Sequence, residues 1–117
     1  MNKAKRKRLG ELRIELEQIQ YELEDSDQVD IEQIVGDLTE LRDLIEEVKG
    51  EEEDVRDNYP ENLQSTEIYD TMCAAVDTMD NSIMSLEAAI ENLEYEPANS
   101  CTALDYLTEA ISCLEEI

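Results

Sequence analysis

Apolar side chains recur at Leu9, Leu12, Leu16, Ile19 and Leu23 in alternating steps of three and four. That spacing places them along one side of an α-helix. The polar break Asp25-Ser26-Asp27-Gln28 shifts the phase by one. Ile31, Ile34, Leu38, Leu41, Ile45, Val48 and Val55 then obey the same rule, with Glu52 the one polar residue in the row. Two phased helices around a short break predict an antiparallel helical hairpin over 4–57, its second helix capped by Ser26 or Asp27. The next breaker is Asp57-Asn58-Tyr59-Pro60-Glu61-Asn62. Pro60 lacks a donor and disfavours helix at Tyr59, so 58–64 is expected as a loop, with Ser65 capping the third helix.

The third stretch has the most regular pattern. Tyr69, Met72, Val76, Met79, Ile83, Leu86, Ile90 and Leu93 occupy eight successive seam positions. With Tyr69 as heptad position a, the g positions are Ile68, Ala75, Ser82 and Ala89, small or apolar, so the buried face is wider than a two-stranded seam. Pro97 interrupts, yet Leu104, Leu107, Ile111 and Leu114 keep the earlier phase. Leu86–Leu93 resembles Leu107–Leu114 at an offset of twenty-one residues, three heptads. Two outcomes stay open: a kinked helix over 65–117, or a break with Ser100 capping a fourth helix. The expectation is one all-α domain over 1–117, a helical hairpin plus one long C-terminal helix, kinked or broken near Pro97, in a coiled-coil-like bundle. The eight-residue seam is expected to be an oligomer interface, making a homodimer, with a monomeric bundle in which the four amphipathic helices satisfy one another as the open alternative.

Composition agrees with long helices. The 117 residues contain no Phe, Trp or His, three Gly and two Pro, and 35% are charged. The net charge of −23 is unevenly spread. Residues 1–13 carry +5 through Lys3, Lys5, Arg6, Lys7, Arg8 and Arg13 against Glu11. From Asp57 to Ile117 there are fourteen acids and no cation. Such a body repels phosphate, which excludes direct nucleic-acid binding outside the N-terminal arm. In a hairpin that arm would lie beside Glu51-Glu52-Glu53-Asp54, so neutralisation between helices is its simplest role.

Cys73, Cys101 and Cys113 are odd in number and lack C-x-x-C spacing, and no run of apolar residues is long enough to span a membrane. A reduced, cytoplasmic protein is expected, with no membrane contact. Catalysis is not expected: without histidine there is no Ser/His or Cys/His pair, and no Gly-rich phosphate loop exists. Nor is a metal or cofactor, since the window from Asp25 lacks the glycine and terminal glutamate of a calcium loop.

A sided acidic surface remains. On the third helix the acids fall at b, e and f, including Asp70, Asp77, Asp80, Glu87, Glu91 and Glu94. A second group, Glu51, Glu53, Asp54 and Asp57, closes the hairpin. Both are candidate partner-binding residues for a cationic groove of a nucleic-acid-binding protein such as a nuclease; the third-helix row has no cation of its own, whereas Arg42, Lys49, Arg56 and the basic arm dilute the second group.

The segment Asp57-Asn58-Tyr59-Pro60-Glu61-Asn62-Leu63-Gln64-Ser65, leading into a helix with Ser85-Leu86-Glu87-Ala88-Ala89-Ile90, resembles small acidic helical proteins of Gram-positive phages and prophages that carry a DN-x-PENLQ-S-like loop. It covers about a third of the chain, and the loop is its distinctive part. The resemblance implies a mobile-element origin and an anti-CRISPR-like or anti-restriction activity, with carboxylates presented where DNA would sit. The alternative is a structural coiled-coil dimerisation or adaptor module whose charge serves solubility.

Overall fold

The computed structural model describes residues 1–25, 30–95 and 98–117. It contains four α-helices: α1 (Lys3–Asp25), α2 (Ile31–Asp57), α3 (Glu67–Leu93) and α4 (Ser100–Glu115), with a 3₁₀ turn at Glu61–Leu63. Each helix packs on two others, α1 on α2 and α4, α3 on α2 and α4. Cross-helix contacts set the directions. Lys5 meets Glu52, Lys49 meets Asp80, Ser82 meets Ala110 and Gln20 meets Thr108. Every adjacent pair is therefore antiparallel, giving an up-down-up-down four-helix bundle, 55 Å long and 22 × 18 Å across.

The heptad rows become the core. Leu9, Leu12, Leu16, Ile19 and Leu23 of α1 and Ile34, Leu38, Leu41, Ile45 and Val48 of α2 are buried. Glu52 is buried too, at 1% exposure, and meets Lys5, which occupies the seam position one step before Leu9. The two polar residues in the apolar rows thus face each other. Val55, which the spacing assigns to the same row, is 45% exposed.

The α3/α4 pair makes the most extensive contact in the bundle. Small residues explain it: Ala75, Ser82 and Ala89 recur every seventh position on α3, Ala103 and Ala110 on α4, and all are buried. Small side chains at heptad spacing let two backbones approach closely. Ser82 Oγ donates to the Ala110 carbonyl at 3.1 Å, which satisfies its hydroxyl in the dry contact. The offset-twenty-one repeat is visible here, since it equates Ser82 with Ala103 and Ala89 with Ala110.

Of the two outcomes left open around Pro97, the break with a fourth helix is the one observed. α3 ends at Leu93 and α4 starts at Ser100, with the Asn99 amide donating to the Asn92 carbonyl at 2.9 Å to bind the turn. Pro97 itself lies outside the described residues. Burial rewards the reversal, because α4 covers the wide a/d/g face of α3 that a straight helix would leave in water.

The caps differ from those the sequence suggests. Asp30 caps α2, accepting from the Gln33 amide at 3.2 Å, while Ser26 and Asp27 lie outside the described residues. Thr66, not Ser65, caps α3. Asn99 precedes α4, and Ser100 is its first helical residue.

Candidate functional site

The loop between α2 and α3 is closed by local hydrogen bonds. Asn58 closes α2, its side-chain amide donating to the Asp54 carbonyl at 2.8 Å. Pro60 sets the chain into the 3₁₀ turn, and the Leu63 amide returns to the Pro60 carbonyl at 2.8 Å. The Thr66 hydroxyl donates to the Leu63 carbonyl at 2.7 Å and accepts from the Tyr69 amide. Tyr59 and Tyr69 pack ring to ring with centroids 6.1 Å apart, inside the range for favourable aromatic pairs. These contacts make a rigid corner between α2 and α3.

The seam expected to join two copies lies inside a single chain. Met72, Val76, Met79, Ile83, Leu86 and Leu93 are buried within the bundle, while Tyr69 and Ile90 are half-buried at its edge. The a/d/g face is therefore covered by α2 and α4, and a homodimer through it would have to open the bundle.

The acidic positions divide into two groups. Asp80 and Glu87, on the α2 side of α3, are paired: Lys49 Nζ lies 3.1 Å from Asp80 and Arg42 3.6 Å from Glu87. The Lys49 ammonium is held above its ordinary pKa, chiefly by its hydrogen bond to Asp80, with the charges of Asp80 and Glu53 adding to it against partial burial. Arg42 is likewise raised, first by its hydrogen bond to Asp43 and then by the charges of Asp43 and Glu87. The α3 stripe is consequently less bare than its own sequence implies, because its cations come from α2. Asp70, Asp77, Glu91 and Glu94 are exposed and have no ion pair among the described residues. Asp70, Asp77 and Glu91 share one row, with Met84 in the remaining place, at about 10.5 Å per seven residues.

At the end of α2, Glu51 receives Arg8 at 2.7 Å, Glu53 receives Lys49 at 3.6 Å, and Asp57 receives Arg56 at 3.2 Å. Only Asp54 of that group stands without an ion pair among the described residues. The basic N-terminal segment is helical and largely committed: Lys5 reaches Glu52 at 3.2 Å, Arg8 reaches Glu47 and Glu51, and Arg13 reaches Glu17 and Glu115. The Met1 amine also lies 3.2 Å from Glu52 Oε2, close enough for charge attraction though off the hydrogen-bonding angle. Lys3, Arg6 and Lys7 remain exposed.

One acidic surface was missed by sequence reasoning. Between α1 and α2, beyond the Lys5–Glu52 contact, an open groove of about 380 Å³ is walled by Glu15 and Glu22 on one side and Asp37 and Glu40 on the other. The signal was available: residues 14–41 contain ten acids and no Lys or Arg. It is a shorter cation-free run than 57–117, and which of its acids face each other depends on how α1 and α2 pair.

Among the described residues, no group of three or more His, Cys, Asp or Glu is placed to hold a metal ion, and no helix is long and apolar enough to cross a membrane. No protein-family model matches the chain, and no curated protein or solved structure matches it either.

Proposed function

We propose that this chain is a charge decoy, a phage-derived inhibitor that occupies the cationic groove of a nucleic-acid-binding defence enzyme in place of DNA or RNA. The observation that carries this reading is charge per unit length. Thirty-two carboxylates along 55 Å is one per ~1.7 Å, and the net −23 is one per ~2.4 Å. A DNA duplex presents one phosphate per ~1.7 Å. The net figure is the relevant one, because Glu52 is buried and others such as Glu51, Asp80 and Glu87 are already paired, and it gives the rod ~0.7 of the duplex charge density. The mechanism is competition: Lys and Arg that hold phosphates pair with carboxylates instead, and helical packing fixes the backbone spacing of those carboxylates beforehand, so that only side chains are ordered on binding.

The coiled-coil dimerisation alternative is less favoured, because the apolar seam it needs is already buried within one chain. The decoy reading is tested by fluorescence competition, with a labelled DNA duplex bound to an RNA-guided nuclease or a restriction endonuclease and the protein as competitor. Displacement should weaken steeply with salt, since exposed charges are screened over about 8 Å at physiological ionic strength. Neutralising Asp70, Asp77, Glu91 and Glu94 together should reduce it more than neutralising Asp80 and Glu87, which Lys49 and Arg42 already engage. Undiminished displacement after all six are neutralised sinks the mechanism.

A further inference from the structure

The seam of α3 does not stop at the turn. With Tyr69 as heptad position a, Leu93 falls at d, and counting on puts Leu104 at a, Leu107 at d, Ile111 at a and Leu114 at d. The g positions continue likewise, from Ala75, Ser82 and Ala89 on α3 to Ala103 and Ala110 on α4. Leu107, Ile111, Leu114 and these five g residues are buried, and Leu104 is half-buried. Pro97 and Ser100, the two seam positions between Leu93 and Leu104, are the one interruption from Tyr69 to Leu114.

A hairpin does not require this. Once the chain reverses, α4 can take whatever rotation turns its own apolar face to α3, and the length of the turn absorbs the difference. A shared phase is required only where two segments form one straight helix. The α3/α4 contact has the matching register. Ser82 donates to the Ala110 carbonyl across it, and each of the two lies fourteen residues from position 96. Opened into one helix, Glu67–Glu115 is about 73 Å long. Laid antiparallel on a second copy about position 96, it brings Ser82 of each chain to Ala110 of the other. The shared phase turns the same small residues inward, so the most extensive contact of the bundle re-forms between chains.

This end of the bundle also carries uncovered apolar surface. Ile31 and Val35 of α2 join Leu93, Tyr95 and Ala98 around an open depression of about 560 Å³, and Tyr95 is 52% exposed. Two bundles joined end to end about position 96 bring both depressions to one junction. What opposes the exchange is local. The Asn99 amide and side chain hold the turn to the Asn92 carbonyl and side chain at 2.9 and 3.2 Å. A proline inside a straight helix removes a hydrogen bond and clashes with the preceding turn. Glu32 and Glu94, beside the depression, repel their counterparts across the junction.

We propose that a second copy of this chain is a partner, through a domain-swapped dimer in which α3 and α4 run as one helix and each α4 packs into the bundle of the other copy. Exchange of an element between identical chains re-uses contacts already made and is a low-cost route to a dimer. The inference rests on packing and is independent of the decoy reading.

The test uses the full chain, unfolded in urea and refolded at about 10 μM and about 500 μM in about 0.5 M salt, which screens the carboxylates. Light scattering after size exclusion reads molar mass, and small-angle X-ray scattering reads the maximum dimension. The parent should be a 13.4 kDa monomer at the lower concentration and yield a fraction of dimer at the higher one. That dimer should persist on dilution, because reversal requires α4 to leave a packed bundle. Pro97→Ala removes the proline penalty, about 100-fold per helix and about 10⁴-fold per dimer. It should be dimeric at both concentrations, with a maximum dimension near twice the 55 Å of one bundle. Inserting Gly-Gly-Ser-Gly between Ala98 and Asn99 of the Pro97→Ala chain breaks the helix and its phase, so this variant should return to monomer. Far-UV circular dichroism checks that all three chains are helical. No dimer of the parent at the higher concentration, a monomeric Pro97→Ala, equal dimer from the insertion variant, or a dimer no longer than one bundle overturns the proposal.

Discussion

Replacing Lys5 by Met leaves Glu52 as a buried carboxylate with half its cationic surroundings removed. Glu52 is 1% exposed, with Oε1 at 3.2 Å from Lys5 Nζ and Oε2 at 3.2 Å from the Met1 amine. Breaking a buried pair by deleting one partner costs about 3–5 kcal/mol when the remaining charge has no other support. The Met1 amine stays, so the expected loss for Lys5→Met is ~2–3 kcal/mol. Glu52→Leu is not the mirror image. Lys5 can turn its ammonium outward along its flexible stem, and the leucine completes the row from Ile34 to Val48, a burial worth about 1.5–3 kcal/mol. Glu52→Leu should therefore be neutral or stabilising by ~1 kcal/mol, and the double variant should lie within ~1 kcal/mol of the parent. Urea unfolding monitored by far-UV circular dichroism measures this. With a slope of about 1–2 kcal/mol/M for a domain of this size, Lys5→Met should lower the midpoint by roughly 1–3 M. If Lys5→Met moves the midpoint by less than about 0.3 M, or Glu52→Leu costs as much as Lys5→Met, the contact is not the buried, asymmetric pair described here.

Ser82→Ala should cost about 1 kcal/mol or less, because it removes one hydroxyl donor while Ala110 keeps its place in the helical ladder. Ser82→Leu should cost ~1–3 kcal/mol or more by overpacking the close α3/α4 contact, and the two midpoints in urea separate the cases. Lys49 carries a pH signature: its folded pKa is raised, so its contribution is complete below the unfolded value near 10.5 and is lost as pH climbs through the folded one. The urea midpoint of the parent should accordingly fall relative to that of Lys49→Met above pH ~10.5 and show no such relative change between about pH 7 and 9. Cys113 is half-buried and its thiol is pushed up, first by burial and then by Glu116 and Glu109, whereas Cys101 is exposed. Iodoacetamide at pH ~8 should label Cys101 before Cys113, as mass spectrometry of timed digests will show, and the reverse order would contradict the placement of α4.

α1 and α2 pair some of their charge internally, as in Arg13–Glu17 and Lys49–Glu53, but α3 depends on its neighbour. α3 has no cation of its own, so the usual i,i+4 pairs are impossible on it. Arg42 and Lys49 of α2 supply the compensation across the seam, and the basic start of α1 does the same for the end of α2. Among the described residues the carboxylates without an ion pair are spread over the surface: Asp70, Asp77 and Glu91 on the outer row of α3, Glu15, Glu22, Asp37 and Glu40 beside the distal α1/α2 groove, and others such as Glu46, Asp105 and Glu109 elsewhere.

Helix content and phase were determined by the sequence alone, because the three-and-four spacing of Leu9 through Leu23, Ile31 through Val48 and Tyr69 through Leu93 is a local property of each helix. The proximity of the basic segment to the acidic end of α2 was legible for the same reason, since a short break allows few other arrangements. Tertiary structure decided the rest. The seam from Tyr69 to Leu93 looks the same from sequence whether its partner is a second copy or α4, and burial against Ala103 and Ala110 settles which helix covers it here. Likewise, Glu52 in an apolar row reads as an error until Lys5 is placed opposite it, and the bare stripe of α3 stays bare only until Arg42 and Lys49 reach over from α2. Periodicity reports which face a helix buries. What that face and its flanking charges meet depends on contacts far apart in the chain, which are set only when the whole bundle packs.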